Sequence, residues 1–312
     1  MIANLQNPIF TDETKAREWL EARVWPHGPI CPHCGASNDD VTALKGKAHR
    51  PGLYQCGECR EQFTVTVKTV FERSKIPLTK WLAALFLLTA SKKGISAHQV
   101  HRSLGISYKS AWFLMHRLRE ALRADPKGPL GGPGKIVEAD ETFFVNKREQ
   151  PVRKGYAHKM AVMSLVERGG ELRSVVIDKV DRPTVEKIIR RNVHEESRLM
   201  TDAAAYYRDR ARFGLAEHDK VNHHMREYVF GDVHINTLES YYSVFKRGMR
   251  GTYQHCGEQH LHRYVAEFDF RYNTRIAAGY NDLMRAEKAA AGIKGKRLTY
   301  RRPHKLVGKA AH

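Results

Sequence analysis

Residues Ile136–Val145 read IVEADETFFV, an apolar strand pattern interrupted by acids at 138, 140 and 141. A carboxylate inside such a strand is costly unless a cation or hydrogen bonds offset its desolvation. The stretch is therefore both a core strand and a candidate site. Downstream, Lys159–Val166 and Leu172–Val180 carry the same strand pattern, with a Gly169-Gly170 turn between them. Arg182–His194 reads as a helix with Pro183 in its first turn. Leu199–Asp202 reads as a short strand, Ala203–Phe213 as a helix and Lys220–His224 as a further strand, and long helices begin near Asn236 and Glu258. Three strands followed by helices and strands in alternation predict an α/β core, a mixed sheet flanked by helices.

Upstream of this core, Asp125–Lys135 (DPKGPLGGPGK) holds four Gly and three Pro in eleven residues and reads as a linker. Before it, Ile76–Leu122 is helical in three segments bounded by Pro77, Gly94 and Gly105. Thr11–Trp25 reads as an amphipathic helix capped by Thr11 and stopped by Pro26-His27-Gly28-Pro29. From Cys31 to Glu72, turn residues alternate with strand patterns. The expected organisation is 1–74, 75–124, a linker at 125–135, a core at 136–290 and a basic tail at 291–312, which carries seven Lys or Arg and no acid.

Fifty-three Lys and Arg against 34 Asp and Glu give a formal charge of +19, which calls for a polyanionic partner such as nucleic acid. The 42% hydrophobic share excludes a mainly disordered chain. The longest apolar run, Trp81–Ala90, is half a membrane span, and MIANLQNPIF lacks the parts of a secretory leader, so a soluble, cytoplasmic protein is expected.

Cys31-Pro-His-Cys34 and Cys56-Gly-Glu-Cys59 are two matched C-x-x-C pairs. Each pair suits a tight turn, and two such knuckles close a tetrahedron around Zn²⁺ with no open position, which predicts a structural zinc held by Cys31, Cys34, Cys56 and Cys59. Gly35 and Gly57 are expected to ease the two turns. Cys256 stands apart, among His255, His260 and His262 on a solvated helix start.

The segment ISAHQVHRSLGISYKSAWFLMHRLREAL predicts a helix-turn-helix, Ser96–Leu104 and Tyr108–Leu122 around Gly105-Ile106-Ser107. Its seam would be Val100, Leu104, Ile106, Ala111, Leu114, Met115 and Leu118. Lys109, Ser110, His116, Arg117 and Arg119 would lie mostly outside the seam, facing double-stranded DNA.

Three acids spread over the core stand out: Asp140, Asp202 at the end of LMTD, and Glu239 in the first turn of HINTLESYYSVFKRGMRGTYQH. Adjacent strands and a helix could bring them together as oxygen ligands for Mg²⁺ or Mn²⁺. Lys246, two helical turns past Glu239, would meet a phosphate. Asp202 also fits a helix cap, and Glu239 a dipole partner. Glu138 and Glu141 compete with Asp140 as first ligand; Glu138 shares its sheet face, and Glu141 faces the other side.

The ordered set WPHGPICPHCG, YQCGECREQFTV, SYKSAWFLMHRLREAL, ADETFF, TDAAAYY, HINTLESYYSVFKRGMRGTYQH, LHRYVAEFDFRYNTR and GKRLTYRR resembles bacterial insertion-sequence transposases of the zinc-ribbon DDE class, ISXO2-like, over nearly the whole chain. The resemblance implies a ribonuclease-H-like catalytic core preceded by a zinc ribbon and a helix-turn-helix. It implies Asp140, Asp202 and Glu239 as ligands of catalytic Mg²⁺ or Mn²⁺, with Lys246 as the basic residue that follows. It further implies binding to terminal inverted repeats, cleavage that exposes 3′ hydroxyls, strand transfer into target DNA, and at least a dimer on the two element ends, in a bacterial, nucleoid-associated setting. The stretch ETFFVNKREQPV departs from the pattern, lacking glycines expected after the strand. The rival readings are a zinc-ribbon, helix-turn-helix DNA-binding regulator with a silent core, and a nuclease that cuts without joining.

Overall fold

The structure, a computed structural model, describes residues 6–126, 128–147, 151–152, 155–208, 210–221 and 231–299. Residues 222–224 of the expected strand and 300–312 of the expected tail lie outside the described residues. The described residues fall into two compact units, one within 1–87, 97–121 and 286–312, the other within 88–96 and 122–285.

The first unit opens on α1 (Glu13–Val24). Asp12 caps it in place of Thr11, its Oδ1 accepting from Thr14 N at 2.7 Å and Lys15 N at 3.1 Å, because Thr11 closes a short 3-10 turn at Pro8–Phe10. Three short antiparallel strands follow in the order β1 (Val41–Ala43), β2 (Tyr54–Cys56) and β3 (Gln62–Phe63). Trp25 meets Tyr54 and Phe63 edge-on at 5.3 and 5.9 Å, a small aromatic core for so short a sheet. Helices α2 (Leu78–Ala90), α3 (Ala97–Leu104) and α4 (Tyr108–Leu122) then run where the sequence pattern places them. Glu13 of α1 caps α2 at a distance, accepting from Leu78 N at 3.0 Å and Thr79 N at 2.9 Å. The turn at Gly105 (φ 58) leads to Ser107, whose Oγ accepts from Ser110 N at 3.1 Å at the start of α4.

The second unit is a five-stranded mixed sheet. Its strands are β4 (Ile136–Asn146), β5 (Lys159–Glu167), β6 (Leu172–Ile177), β7 (Arg198–Asp202) and β8 (Glu217–Val221), ordered β6-β5-β4-β7-β8. The β4–β5 and β5–β6 pairs are antiparallel, and β4–β7 and β7–β8 are parallel. Helix α5 (Arg182–Asn192) covers one face, with Val185, Ile188 and Ile189 against Val137, Ala139, Ala161, Met163, Leu165 and Leu199. On the other face, α6 (Asn236–Gly248) and α7 (Leu261–Asn273) pack Leu238, Tyr241, Phe245, Val265 and Phe268 against Phe144, Val162 and Val166. Residues of β5 alternate between the two cores, as the two-residue strand period requires. At Gly248 α6 lies close against α7: a Cβ there would stand 2.4 Å from the Phe268 ring.

The structure differs from expectation at five places. Ala203–Phe213 forms 3-10 turns at Ala205–Tyr207 and Arg210–Phe213 instead of a helix. Asp202 bonds the Ala204 amide, and both tyrosines reach one buried carboxylate, which straight helix growth would not allow. Within the expected linker, Leu130 is buried, its amide donates to Asn192 O at 2.6 Å, and Gly132 N donates to Ser197 Oγ at 2.9 Å. Residues 291–299 are not a free tail: Ile293 is buried, and Gly295 N donates to Lys68 O at 3.0 Å. Helix α8 (Asp282–Ala291), absent from the sequence reading, precedes them. The glycine-poor exit from β4 is taken by a bulge between Phe144 and Asn146 with Val145 at φ 28.

Candidate active site

The parallel ladder aligns Ile136 with Arg198, Val137 with Leu199 and Glu138 with Met200. The pairing ends there; the same offset of 62 residues, extended by two, would set Asp202 level with Asp140 on the neighbouring strand. Neighbouring strands lie about 4.8 Å apart. Asp202 is the last residue of β7; its Oδ1 accepts from Ala204 N at 3.0 Å and so holds the turn that ends the strand.

Helix α6 supplies the third acid, and β4 holds it in place. Its N-cap, Ile235, offers no side-chain oxygen. Glu138 does so instead: Oε2 accepts from Thr237 N at 3.0 Å and Leu238 N at 3.2 Å, and Oε1 from Thr237 Oγ1 at 2.8 Å. One turn along, the Tyr242 hydroxyl donates to Asp140 O at 2.5 Å. Glu239 lies between these two attachments and is exposed. Lys246 follows Tyr242 by one turn and is half-buried.

Charge effects run among these residues. Burial pushes the Asp140 carboxyl well above the usual carboxylate range, and the charges of Glu141, Asp202 and Glu239 push it further the same way. Burial lowers the Lys246 ammonium from its ordinary value, while Asp140 acts in the opposite sense. Asp140 thus sits within electrostatic reach of Asp202, Glu239 and Lys246 together. Among the described residues, the four cysteines, whose sulfurs all lie within 4.8 Å of one another, form a cluster of three or more candidate metal ligands, and the three carboxylates do not form a second. Two ions about 4 Å apart span a wider ligand set than one ion does.

Both competitors of Asp140 already have hydrogen-bonding partners. Glu138 is fully buried and paired with Arg168, whose Nε donates to Oε1 at 2.7 Å. Glu141, on the opposite face, accepts from the Tyr206 hydroxyl at 2.7 Å and from that of Tyr207. Burial raises it to about 7, the two tyrosines lowering it and Asp202 raising it.

The four cysteines form the cluster that their spacing predicts. Cys31 and Cys59 sulfurs lie 3.6 Å apart, as do those of Cys34 and Cys56. With Zn–S bonds of about 2.3 Å, the edges of a tetrahedral shell measure about 3.8 Å, so the donor set fits zinc. His33 N points at Cys31 Sγ, 3.4 Å away, as a knuckle requires. Gly35 takes φ 88 after the first pair, whereas after the second it is Arg60 at φ 59 that makes the left-handed turn. Gly57 serves a different need, its amide donating to Asp40 O at 2.6 Å.

With both sites described, the relatives can be placed. Residues 129–273 match the ISXO2-like transposase domain, and residues 11–62 match the transposase zinc-ribbon domain. The chain joins a transposase zinc ribbon to an ISXO2-like transposase domain. An uncharacterized protein in transposable element ISH50 of Halobacterium salinarum is 29% identical over 280 residues, spanning 84% of this chain and 91% of that protein. A chain in the crystal structure of a pre-cleavage Mos1 transpososome is similar over 64% of this chain and 79% of its own, at 14% identity and a TM-score of 0.20, too loose to carry an argument. The transposase zinc ribbon explains the cysteine cluster as a structural zinc site. Among the described residues, no helix is long and apolar enough to cross a membrane.

Ahead of the transposase domain, α4 departs from expectation. His116, Arg117 and Arg119 lie inside, at 1%, 5% and 3% exposure. The Arg117 guanidinium donates to Glu72 O at 2.7 Å and lies 5.2 Å from the Trp81 ring, and His116 meets Trp112 edge-on with ring centroids 4.2 Å apart. Lys109 is exposed and Ser110 half-buried. Long cationic side chains bury their stems readily, so their charge says little about which face they occupy.

Sequence reasoning missed the supports of the transposase domain's carboxylates: Arg168, Tyr242, and the Glu141–Tyr206–Tyr207 group. The adjacent acids of EADE and the paired tyrosines of TDAAAYY were the available signal.

Proposed function

We propose that this chain is a DNA transposase of an insertion sequence, with a ribonuclease-H-like core in which Asp140, Asp202 and Glu239 hold divalent cations. The observation that supports it is the parallel pairing of β4 and β7 up to Glu138 and Met200, two residues before Asp140 and Asp202, with the Glu239 turn of α6 tied to β4. A sheet with three antiparallel strands, two further parallel ones and carboxylates on the central strands supports that core. Unrelieved repulsion on Asp140 suits a divalent cation, with Mg²⁺ or Mn²⁺ the ions for an all-oxygen donor set. When bound, such ions activate a nucleophile and stabilise the leaving oxygen.

The residues perform the remaining tasks. In the first step a water oxygen bonds to the phosphorus at the element end, the P–O3′ bond breaks, and a free 3′ hydroxyl remains. In the second, that 3′ oxygen bonds to a target phosphorus, and the target's own 3′ oxygen leaves. Lys246 meets the phosphate at this mouth. Helices α3 and α4 form a helix-turn-helix that presents Lys109 and Ser110, at the start of α4, to the terminal inverted repeats. The excess positive charge holds flanking and target DNA. Two element ends require at least two copies of the chain.

The test is a strand-transfer assay with a 3′-hydroxyl element end, a plasmid target and Mg²⁺. Joined product is expected, and Asp140→Asn or Asp202→Asn removes it. Full joining by either variant refutes the site. Cut product alone points to a nuclease; specific binding with neither points to a regulator.

A further inference from the structure

We infer that Glu138 and Arg168 are positioning residues for Glu239, setting the height and rotation of α6 over β4. This rests on the proposed function and deepens it, adding the pair that keeps the third carboxylate at the site.

Glu138 stands two residues before Asp140 on the same face of β4. Its oxygens take the amides of Thr237 and Leu238, the two residues that immediately precede Glu239. Amides in the first turn of a helix have no partner within the helix, so α6 is anchored at this turn by the strand that carries Asp140. Arg168 in turn fixes Glu138 and the chain that enters α6. Nε holds Glu138 Oε1 at 2.7 Å, Nη1 holds Asp232 O at 2.7 Å, and Nη2 holds His234 O at 2.7 Å and His234 Nδ1 at 2.9 Å. The same Nη2 lies 3.0 Å from Met200 Sδ on β7, two residues before Asp202. One guanidinium therefore touches the strand of the second acid, Glu138 on the strand of the first acid, and the entry to the third acid's helix. Neither Glu138 nor Arg168 need touch DNA or cation. A helix slip of one residue turns Glu239 by about 100° and shifts it about 1.5 Å, and a misplacement of that order costs about 10²-fold in rate.

The test uses the full zinc-loaded chain, with Mn²⁺ alone as probe. Free Mn²⁺ is counted by electron paramagnetic resonance, and Mn²⁺-dependent nicking of an element-end duplex is followed in parallel. Glu138→Gln removes the ion pair while keeping the shape; Arg168→Lys keeps the charge but loses the forked geometry. Both are expected to raise the half-saturating Mn²⁺ concentration about tenfold or more, the usual range for groups behind metal ligands, with DNA affinity unchanged. Thr237→Val removes one bond to Glu138 and leaves the ion pair, so it gives a smaller rise and keeps the idea testable should Glu138→Gln fail to fold. In a Glu239→Gln background these shifts vanish, because the residue being positioned is gone. An unchanged Mn²⁺ midpoint in a folded variant, or the same shift in the Glu239→Gln background, overturns the inference while the active-site reading stands. Failure of that reading looks different: Asp140→Asn and Glu239→Gln would leave wild-type Mn²⁺ binding intact, and both ideas would fall.

Discussion

Asp140→Asn should stabilise the sheet unit when no divalent cation is present. Asp140 carries an unfavourable charge, opposed by burial and by Glu141, Asp202 and Glu239. If the in-register Asp202 carboxylate lies about 5 Å away, an effective dielectric of about 20 to 40 gives roughly 2–3 kcal/mol of repulsion. Asparagine keeps the useful contacts: its Oδ1 can still accept from the Glu141 amide, which lies 2.8 Å away, and the Tyr242 hydroxyl bonds the backbone of residue 140. The expected gain is about 1–3 kcal/mol near neutral pH. Because the folded-state carboxyl is raised, the wild-type penalty appears as pH rises above the unfolded value, so the gain shrinks on acidification. All four tryptophans, Trp19, Trp25, Trp81 and Trp112, belong to the first unit. Their fluorescence should unfold at the same urea concentration in both proteins, while hydrogen exchange of β4 and β5 amides reports the sheet unit. At a thousandfold excess of Mn²⁺ over Kd the order reverses, since wild type gains about 4.1 kcal/mol and the variant does not. Faster exchange in cation-free Asp140→Asn would refute the repulsion argument.

Cys56→Ser, or zinc removal, should unfold the ribbon, because a structural zinc supplies roughly 10–16 kcal/mol in small metal domains and the aromatic core here is three rings. Tryptophan emission should shift while β4–β5 exchange holds; an unshifted spectrum with zinc absent by elemental analysis would contradict the assignment. Asp269 on α7 accepts from Tyr241 and Ser174, yet burial still raises it from 3.8 to about 6. Its contribution to stability is full below pH 3.8 and is lost as pH rises through about 6, at most about 3 kcal/mol. Asp269→Asn should flatten that part of the sheet unit's stability profile between pH 4 and 7, and an unchanged slope counts against it.

The parts of the fold that were legible in sequence are those where one interaction dominates. The β5 run KMAVMSLVE is buried on both faces and could only be a central strand, and two C-x-x-C pairs could hardly be other than a zinc site. What was not legible depends on partners distant in sequence. Ala203–Phe213 has helical composition, but Tyr206 and Tyr207 answer to Glu141, some 65 residues away. The charges of α4 suggested an outer face, yet Glu72 and Trp81 claim Arg117. Residues 293–295 looked like tail until Lys68 met Gly295. The three proposed carboxylates stand out in the sequence because each sits at the end or in the body of a recognisable element; the groups around them do not, because their partners are backbone amides and tyrosines.

The spacing of acids in Glu138-Ala-Asp-Glu141 follows from strand geometry and the needs of a site assembled from three elements. Asp140 alone cannot gather cations; α6 and the turn after β7 must be fastened beside it. A β-strand offers two faces, and α6 packs on one while Tyr207 packs on the other. An acid two residues from Asp140 shares its face and reaches α6; an acid one residue away faces the opposite side and reaches Tyr206 and Tyr207. Both fastenings carry a negative charge next to a third, so each must be neutralised or hydrogen-bonded: Glu138 by Arg168 and the helix amides, Glu141 by two hydroxyls. Asp140 is opposed by Glu141, Asp202 and Glu239, while Lys246 acts on it in the opposite sense. The strand thus concentrates the charge that its neighbours need and leaves the central acid as the one whose repulsion a bound cation would relieve.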